Sequence, residues 1–132
     1  MSLPIRIATA VIRDYHGRIL VVRKRGTRVF MQPGGKIKPD EGALAALARE
    51  VQEELDCSIR PMTARFLGQF TAPAANEAGE SVFADLYEVE VDGDVRATAE
   101  IEEVAWVDAT AAGRYLLAPL TRDHVLPLLS DA

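Results

Sequence analysis

The chain has 132 residues, a length that favours one domain spanning 1–132, since domains commonly run to about 100–150 residues. Its net charge of −5, from 20 acidic and 15 basic residues, disfavours polymeric nucleic acid, whose binding draws most of its affinity from basic side chains. No apolar run nears the roughly 20 residues of a membrane span. Met1-Ser2-Leu3-Pro4 lacks the basic and apolar regions of a secretory signal, and Cys57 has no cysteine to pair with. The expectation is a soluble, cytoplasmic protein in a reducing compartment. A small phosphate compound stays compatible with the acidic balance where bound cations supply positive charge.

Ile5 to Arg13 reads as a strand, rich in Ile, Val and Thr. Asp14-Tyr15-His16-Gly17 supplies turn chemistry, and Ile19-Leu20-Val21-Val22 follows as a second strand, so residues 5–25 read as a hairpin. The basic cluster Arg23-Lys24-Arg25, with Arg28 after it, is either a solvated strand end or a small phosphate contact. Val29-Phe30-Met31 is a third short strand, stopped by Pro33-Gly34-Gly35. Between Gly42 and Leu55 the residues Leu44, Leu47, Ala48, Val51 and Leu55 form one apolar stripe at helical spacing. Asp40 and Glu41 stand where a helix start welcomes carboxylates, and Pro61 fits just past its end.

Strand-like segments follow near Arg65–Thr71 and Val82–Val91, separated by a loop at residues 72–79. Asp92-Gly93 marks a turn, Val104-Ala105-Trp106-Val107 a late strand, and Thr121 to Leu129 a closing helix. Strands, helix, strands, helix predict a mixed sheet with helices packed on its faces. Trp106, Tyr87 and Phe83 read as packing residues on strands, and His16 and His124 lack partners at metal-ligand spacing.

The chemistry concentrates between Gly35 and Cys57. At ~100° per residue, Glu50, Glu53 and Glu54 fall on one arc of roughly 100°, away from the leucine stripe. Three carboxylates so placed repel one another, an arrangement that divalent cations turn favourable, hard Mg²⁺ above all. Ala43 and Ala46 project to the same side and would leave room for a substrate. Arg49 stands one turn before Glu53 and can pair with it or with Glu41. Pro33-Gly34-Gly35 turns the backbone sharply before the helix and permits close approach to a ligand. The same arc is also what an ordinary solvated helix face displays, and the residues alone leave both readings open.

The segment GKIKPDEGALAALAREVQEELDC resembles the Nudix box. Gly35, Glu41, Arg49, Glu50, Val51, Glu53 and Glu54 meet its pattern at the required spacing. Two positions depart: Asp56 stands where the family has glycine, and Cys57 where it usually has an aliphatic residue. The glycine ends the helix, commonly at positive φ, and Asp tolerates that conformation better than most residues. The opening strands, the Pro-Gly-Gly segment, the late Trp-bearing strand and the closing helix also resemble the family's layout, so nearly the whole chain is covered.

The resemblance implies an α/β (α+β) fold, the Nudix α/β/α sandwich with a mixed sheet between helices. It implies Mg²⁺-dependent hydrolysis of a phosphoanhydride bond in a nucleoside diphosphate linked to another moiety, with Mn²⁺ able to substitute. Glu50, Glu53 and Glu54, helped by the Gly35 carbonyl, would bind the metal; Glu41 and Arg49 would hold loop and helix in register. The general base would be Glu53 or Glu100, with Glu53 preferred. Asn76 and Glu77, in the loop between strands, are candidates for substrate contact. The relative that cleaves 8-oxo-dGTP has an asparagine near the start of its final helix, where Arg122 falls here, which argues against that substrate. The partner expected is a small nucleotide such as a nucleoside triphosphate; a homodimer is compatible with the family, though no interface is visible. The competing reading is a nucleotide-sensing module without hydrolysis, and retention of every box carboxylate argues against it.

Overall fold

The structure is a computed structural model describing residues 3–130; residues 1, 2, 131 and 132 of the expected domain span lie outside the described residues. Strand β1 (Ile5–Val11) lies between β4 (Gly34–Lys36), its antiparallel neighbour, and β7 (Ser81–Glu88), its parallel one. Strand β6 (Arg65–Pro73) pairs antiparallel with β7 and closes the order β4-β1-β7-β6. A second, antiparallel sheet has the order β3-β2-β9, from Phe30–Met31, Ile19–Lys24 and Ile101–Val107. A small pair joins β5 (Ser58–Ile59) to β8 (Val91–Asp92).

The expected hairpin over residues 5–25 forms only beside its turn. Arg13 bridges Ile19, Asp14 N–H donates to the Arg18 carbonyl and Leu20 N–H to Ile12. Beyond that, both sides of β1 are taken by β4 and β7, so β2 finds its partners in β3 and β9 instead. The glycines expected only to stop the third strand form a strand themselves. The expected Val82–Val91 strand breaks after Glu88, and its last residues pair with β5 rather than β6.

Two apolar layers sandwich the sheets. On one side α1 (Ala43–Leu55) buries Leu47, Val51 and Leu55 against Ala8, Ala10, Ile12, Leu20, Val22 and Ile101. On the other, the C-terminal helical segment sets Leu120, Val125 and Leu126 against Val11, Ile19, Val21, Leu86 and Val107. Strand β2 serves both layers, with Leu20 and Val22 on one face and Ile19 and Val21 on the other. A strand covered on both faces reads as a continuous apolar run, which is how Ile19–Val22 reads. The two layers give the α+β sandwich expected. The closing helix arrives in two forms: a π-helical turn at Thr121–Val125, then α2 (Leu126–Ser130).

Helix α1 begins one residue after Gly42, which offers no side-chain cap. The carboxylates expected at its start lie outside the first turn: Asp40 takes φ 65, and Glu41 turns toward Arg49. At the other end Asp56 adopts φ 54, ψ 39, the left-handed conformation usually given to glycine. Its carboxylate pairs with Arg96 across 2.5 Å.

Candidate active site

Two glycines let a strand and a helix close on each other. A Cβ on Gly34, at φ 139, would run into the Ala8 carbonyl across the β1–β4 ladder. A Cβ on Gly35 would lie 2.5–2.8 Å from the carboxyl atoms of Glu50. Only bare backbone fits against β1 at Gly34, and a side chain at Gly35 would push the Glu50 carboxyl aside.

Against that backbone two carboxylates of the acidic arc, Glu50 and Glu54, are tucked in, while Glu53 stays exposed. Glu54 is 2% exposed and accepts a hydrogen bond from Gly34 N–H at 3.1 Å. Burial pushes its carboxyl up to about 8, against the pull of that N–H, and the charges of Glu50 and Glu100 add to the rise. Glu50 is shifted upward too, by burial first, with Arg49 opposing. A buried carboxylate facing other carboxylates is unfavourable unless a cation joins it. Ala46, expected to open space for a substrate, is instead fully buried beneath α1, because the acidic arc and the apolar stripe meet along that line.

Arg49 ties the pieces together. Its Nε and Nη2 donate to the two Glu41 oxygens at 2.9 and 2.8 Å, its Nη1 to Glu50 at 2.9 Å, and its Nη2 to the Lys36 carbonyl at 3.1 Å. Glu41 also accepts from Lys38 N–H at 3.0 Å. The Arg49 hydrogen bonds, with that N–H, lower the Glu41 carboxyl to about 2. Glu53 is half exposed and 3.8 Å from Arg49.

Glu100 arrives from the other direction, on the loop before β9. That loop is fastened to the last turn of α1: Arg96 N–H donates to Leu55, Thr98 N–H to Glu54, and the Thr98 hydroxyl to the Glu53 carbonyl. Glu100 stands 3.5 Å from the Lys24 ammonium, and its carbonyl accepts from Arg25 N–H at 2.9 Å.

Some of these groups border a cleft of about 350 Å³, within the usual size of small-molecule sites. Glu50, Glu100, Lys24, Lys36, Asn76 and Glu77 supply its charged and polar wall, and Gly34 and Gly35 its backbone floor. Ile5, Ile7, Met31, Val82 and Leu120 make the rest apolar. Glu53 is not among the lining residues. Arg122 is not brought there either: it is exposed and paired with Asp123 at 2.8 Å, while its neighbour Thr121 lines the cleft. Trp106 lines a different cavity, of about 440 Å³, with Arg13 and Arg60.

Sequence reasoning missed Lys36, Gln32 and Thr121 on the cleft wall, and placed Lys24 only within a basic cluster of undecided meaning. The carboxylates do not converge as they stand. Among the described residues no three His, Cys, Asp or Glu side chains form a ready metal cluster, since Glu50 faces Arg49 and Glu54 faces Gly34. The donor set nevertheless suits a hard divalent cation: carboxylate oxygens on successive turns, a floor open to close approach, and a buried carboxylate with no direct ion pair among the described residues. Rotation of Glu50 and Glu54 about their side-chain bonds is what binding would require.

The family model for the NUDIX domain matches residues 3–129, and the chain belongs to the Nudix hydrolase family. Its fold superposes on the MutT protein from Methanosarcina mazei Go1 with a TM-score of 0.81, at 27% identity over 99% of this chain and 97% of that one. The MutT NUDIX hydrolase from Burkholderia pseudomallei gives a TM-score of 0.75 at 25% identity, over 99% and 100%. A UDP-X diphosphatase shares the fold, with a TM-score of 0.80 at 17% identity over 98% of this chain and 63% of that one. Curated proteins give no match. The chain is thus a pyrophosphohydrolase of a family that cleaves pyrophosphate bonds in nucleoside diphosphate derivatives, acts on small molecules and generally uses divalent metal ions.

Proposed function

We propose that the chain works as one Nudix domain, a Mg²⁺-dependent hydrolase of a nucleoside polyphosphate such as a nucleoside triphosphate. The observation that carries this reading is the buried Glu54 bonded to Gly34 N–H and Glu50 packed against Gly35, beside a cleft that Glu50 and Glu100 line. Glu50, Glu53, Glu54 and the Gly35 carbonyl would hold the metal, with Mn²⁺ an acceptable substitute. Bound there, the metal supplies charge neutralisation at the pyrophosphate and a lowered pKa for water.

The side chains do the remaining work. Lys24 and Lys36 on the cleft wall meet phosphate oxygens, and Asn76 and Glu77 contact the substrate from the β6–β7 loop. Arg49 holds Glu50 and Glu41 in fixed relation and bonds the Lys36 carbonyl, so β4, which carries Gly35, keeps its place beside the helix. A carboxylate accepts the proton of the attacking water. Glu100, which lines the cleft, and Glu53, which lies beside Arg49 outside that lining, are the two candidates for this role. Arg122, held by Asp123, is left the outermost of the substrate contacts.

The test is phosphate-product analysis against nucleoside triphosphates, nucleotide sugars, ADP-ribose and dinucleoside polyphosphates. Cleavage is expected with Mg²⁺ and none with chelator. Glu53→Gln and Glu54→Gln should each lower turnover roughly 10²-fold or more, as for a metal ligand or positioned base. Wild-type turnover in both variants would overturn the assignment, and cleavage confined to sugars or dinucleotides would overturn the substrate.

A further inference from the structure

Two buried polar atoms on the cleft wall have no hydrogen-bond partner among the described residues: Gln32 Oε1 and Thr121 Oγ1. Gln32 is 4% exposed and Thr121 fully buried, and both line the cleft. An orphaned buried polar atom destabilises a fold by a desolvation penalty with nothing to offset it. Two of them on residues that line one cavity mark a place where a ligand supplies the missing bonds.

The chemistry each demands is readable. Gln32 Nε2 donates to the Ala10 carbonyl at 2.7 Å, which fixes the amide so that Oε1 is the free end. Oε1 only accepts, so the ligand must present an N–H or O–H. Thr121 can donate as well as accept. It opens the π-helical turn that ends where Leu126 N–H meets the Thr121 carbonyl, and such turns within helices recur at functional sites. Ile5, Ile7, Met31 and Leu120 line the same cleft, and an apolar wall broken by one acceptor and one hydroxyl suits a flat, weakly polar ring.

We infer that Gln32 and Thr121 read the nucleobase of the substrate. Gln32 Oε1 accepts an N–H from the base edge, and the Thr121 hydroxyl donates to a ring nitrogen or carbonyl of the same base. The inference rests on the nucleotide-hydrolase reading and deepens it: phosphates lie toward Glu50 and Lys36, and the base toward Gln32 and Thr121.

The experiment compares a nucleoside triphosphate with ribose 5-triphosphate, which lacks the base, in wild type, Thr121→Val, Thr121→Ser and Gln32→Met. Wild type should favour the base-bearing compound in kcat/KM by roughly 10²-fold, since a site with buried polar groups penalises a ligand that leaves them unpaired. Thr121→Val and Gln32→Met should each raise KM for the nucleotide roughly tenfold, about one hydrogen bond's worth. Neither should change KM for ribose 5-triphosphate, which also reports an intact cleft. Thr121→Ser should restore the nucleotide KM. Thr121→Val should melt no lower than wild type without ligand, because it removes an unsatisfied hydroxyl.

Equal kcat/KM for the two compounds in wild type would overturn the inference while leaving the hydrolase reading standing. So would parallel KM changes for both compounds in the variants, or a fall in melting temperature for Thr121→Val with an unchanged nucleotide KM. Failure of wild type to hydrolyse any panel compound would remove the hydrolase reading itself.

Discussion

Glu41 and Arg49 are eight residues apart in sequence, yet they meet in a two-bond pair. Planar guanidinium and carboxylate match in geometry, so such a pair orients as well as attracts. Glu41 sits near pKa 2 rather than its ordinary 4.5, so the folded state binds a proton there less readily than the unfolded chain. Its stabilising contribution is complete above pH 4.5 and lost as pH falls toward about 2. Glu41→Gln should therefore lower the denaturation midpoint at pH 7, and the gap from wild type should shrink by pH 3. A gap that stays constant across that range would show that the pair contributes through shape alone. The pairing was visible in the sequence only as two alternatives, Glu41 or Glu53. Spacing on one helix favours Glu53, but the loop folds back and delivers Glu41 closer, at 2.8 Å against 3.8 Å.

Among the elements, α1 and the loop before β9 act as one piece. Thr98 grips the end of the helix with its N–H and its hydroxyl, and Ala99 takes φ 52 immediately before Glu100. A left-handed alanine is unusual, and it aims the next residue. Thr98→Val should lower kcat by roughly fivefold with KM little changed, because a displaced carboxylate weakens the chemical step more than binding. Thr98→Ser should recover it. Unchanged kcat in the valine variant would show that the backbone bonds alone hold Glu100. Helix α1 was legible because a 3.6-residue apolar period over thirteen residues has no competing interpretation. The Gly34–Lys36 strand was not, because two glycines and a lysine carry no strand preference. Its place comes from the backbone of residues 7–9 that it pairs with and from its bonds to Glu54 and Arg49. Gln32 and Thr121 were likewise silent in sequence, since a polar residue becomes notable only once it is buried without a partner.

At the scale of the molecule, the sheets insulate two cores. Leu47 belongs to the layer under α1 and Leu120 to the layer under the C-terminal helix. Leu47→Ala and Leu120→Ala should each destabilise by about 2–5 kcal/mol. In the double variant the losses should add within about 0.5 kcal/mol, as for sites without shared neighbours. Denaturant unfolding measures all three, and a clearly non-additive sum would mean the layers communicate through β2. The layered class was legible from the alternation of strand and helix signals. The division into two sheets was not, because it depends on which neighbour claims β1, a choice made by strands tens of residues away.

That choice has a consequence for how the chain comes into being. The parallel neighbour of β1 is β7, with Ile5 opposite Val82 and Val11 opposite Glu88. During synthesis the N-terminal strand emerges first and can hold only β4 for some time. Its other side, an unpaired edge of apolar residues, waits until the chain has grown past residue 88. An exposed edge of that kind is where nascent chains pair with one another. The interval between making β1 and making β7 is therefore the window in which this protein is most vulnerable to aggregation, and slowed translation between residues 37 and 80 would lengthen it.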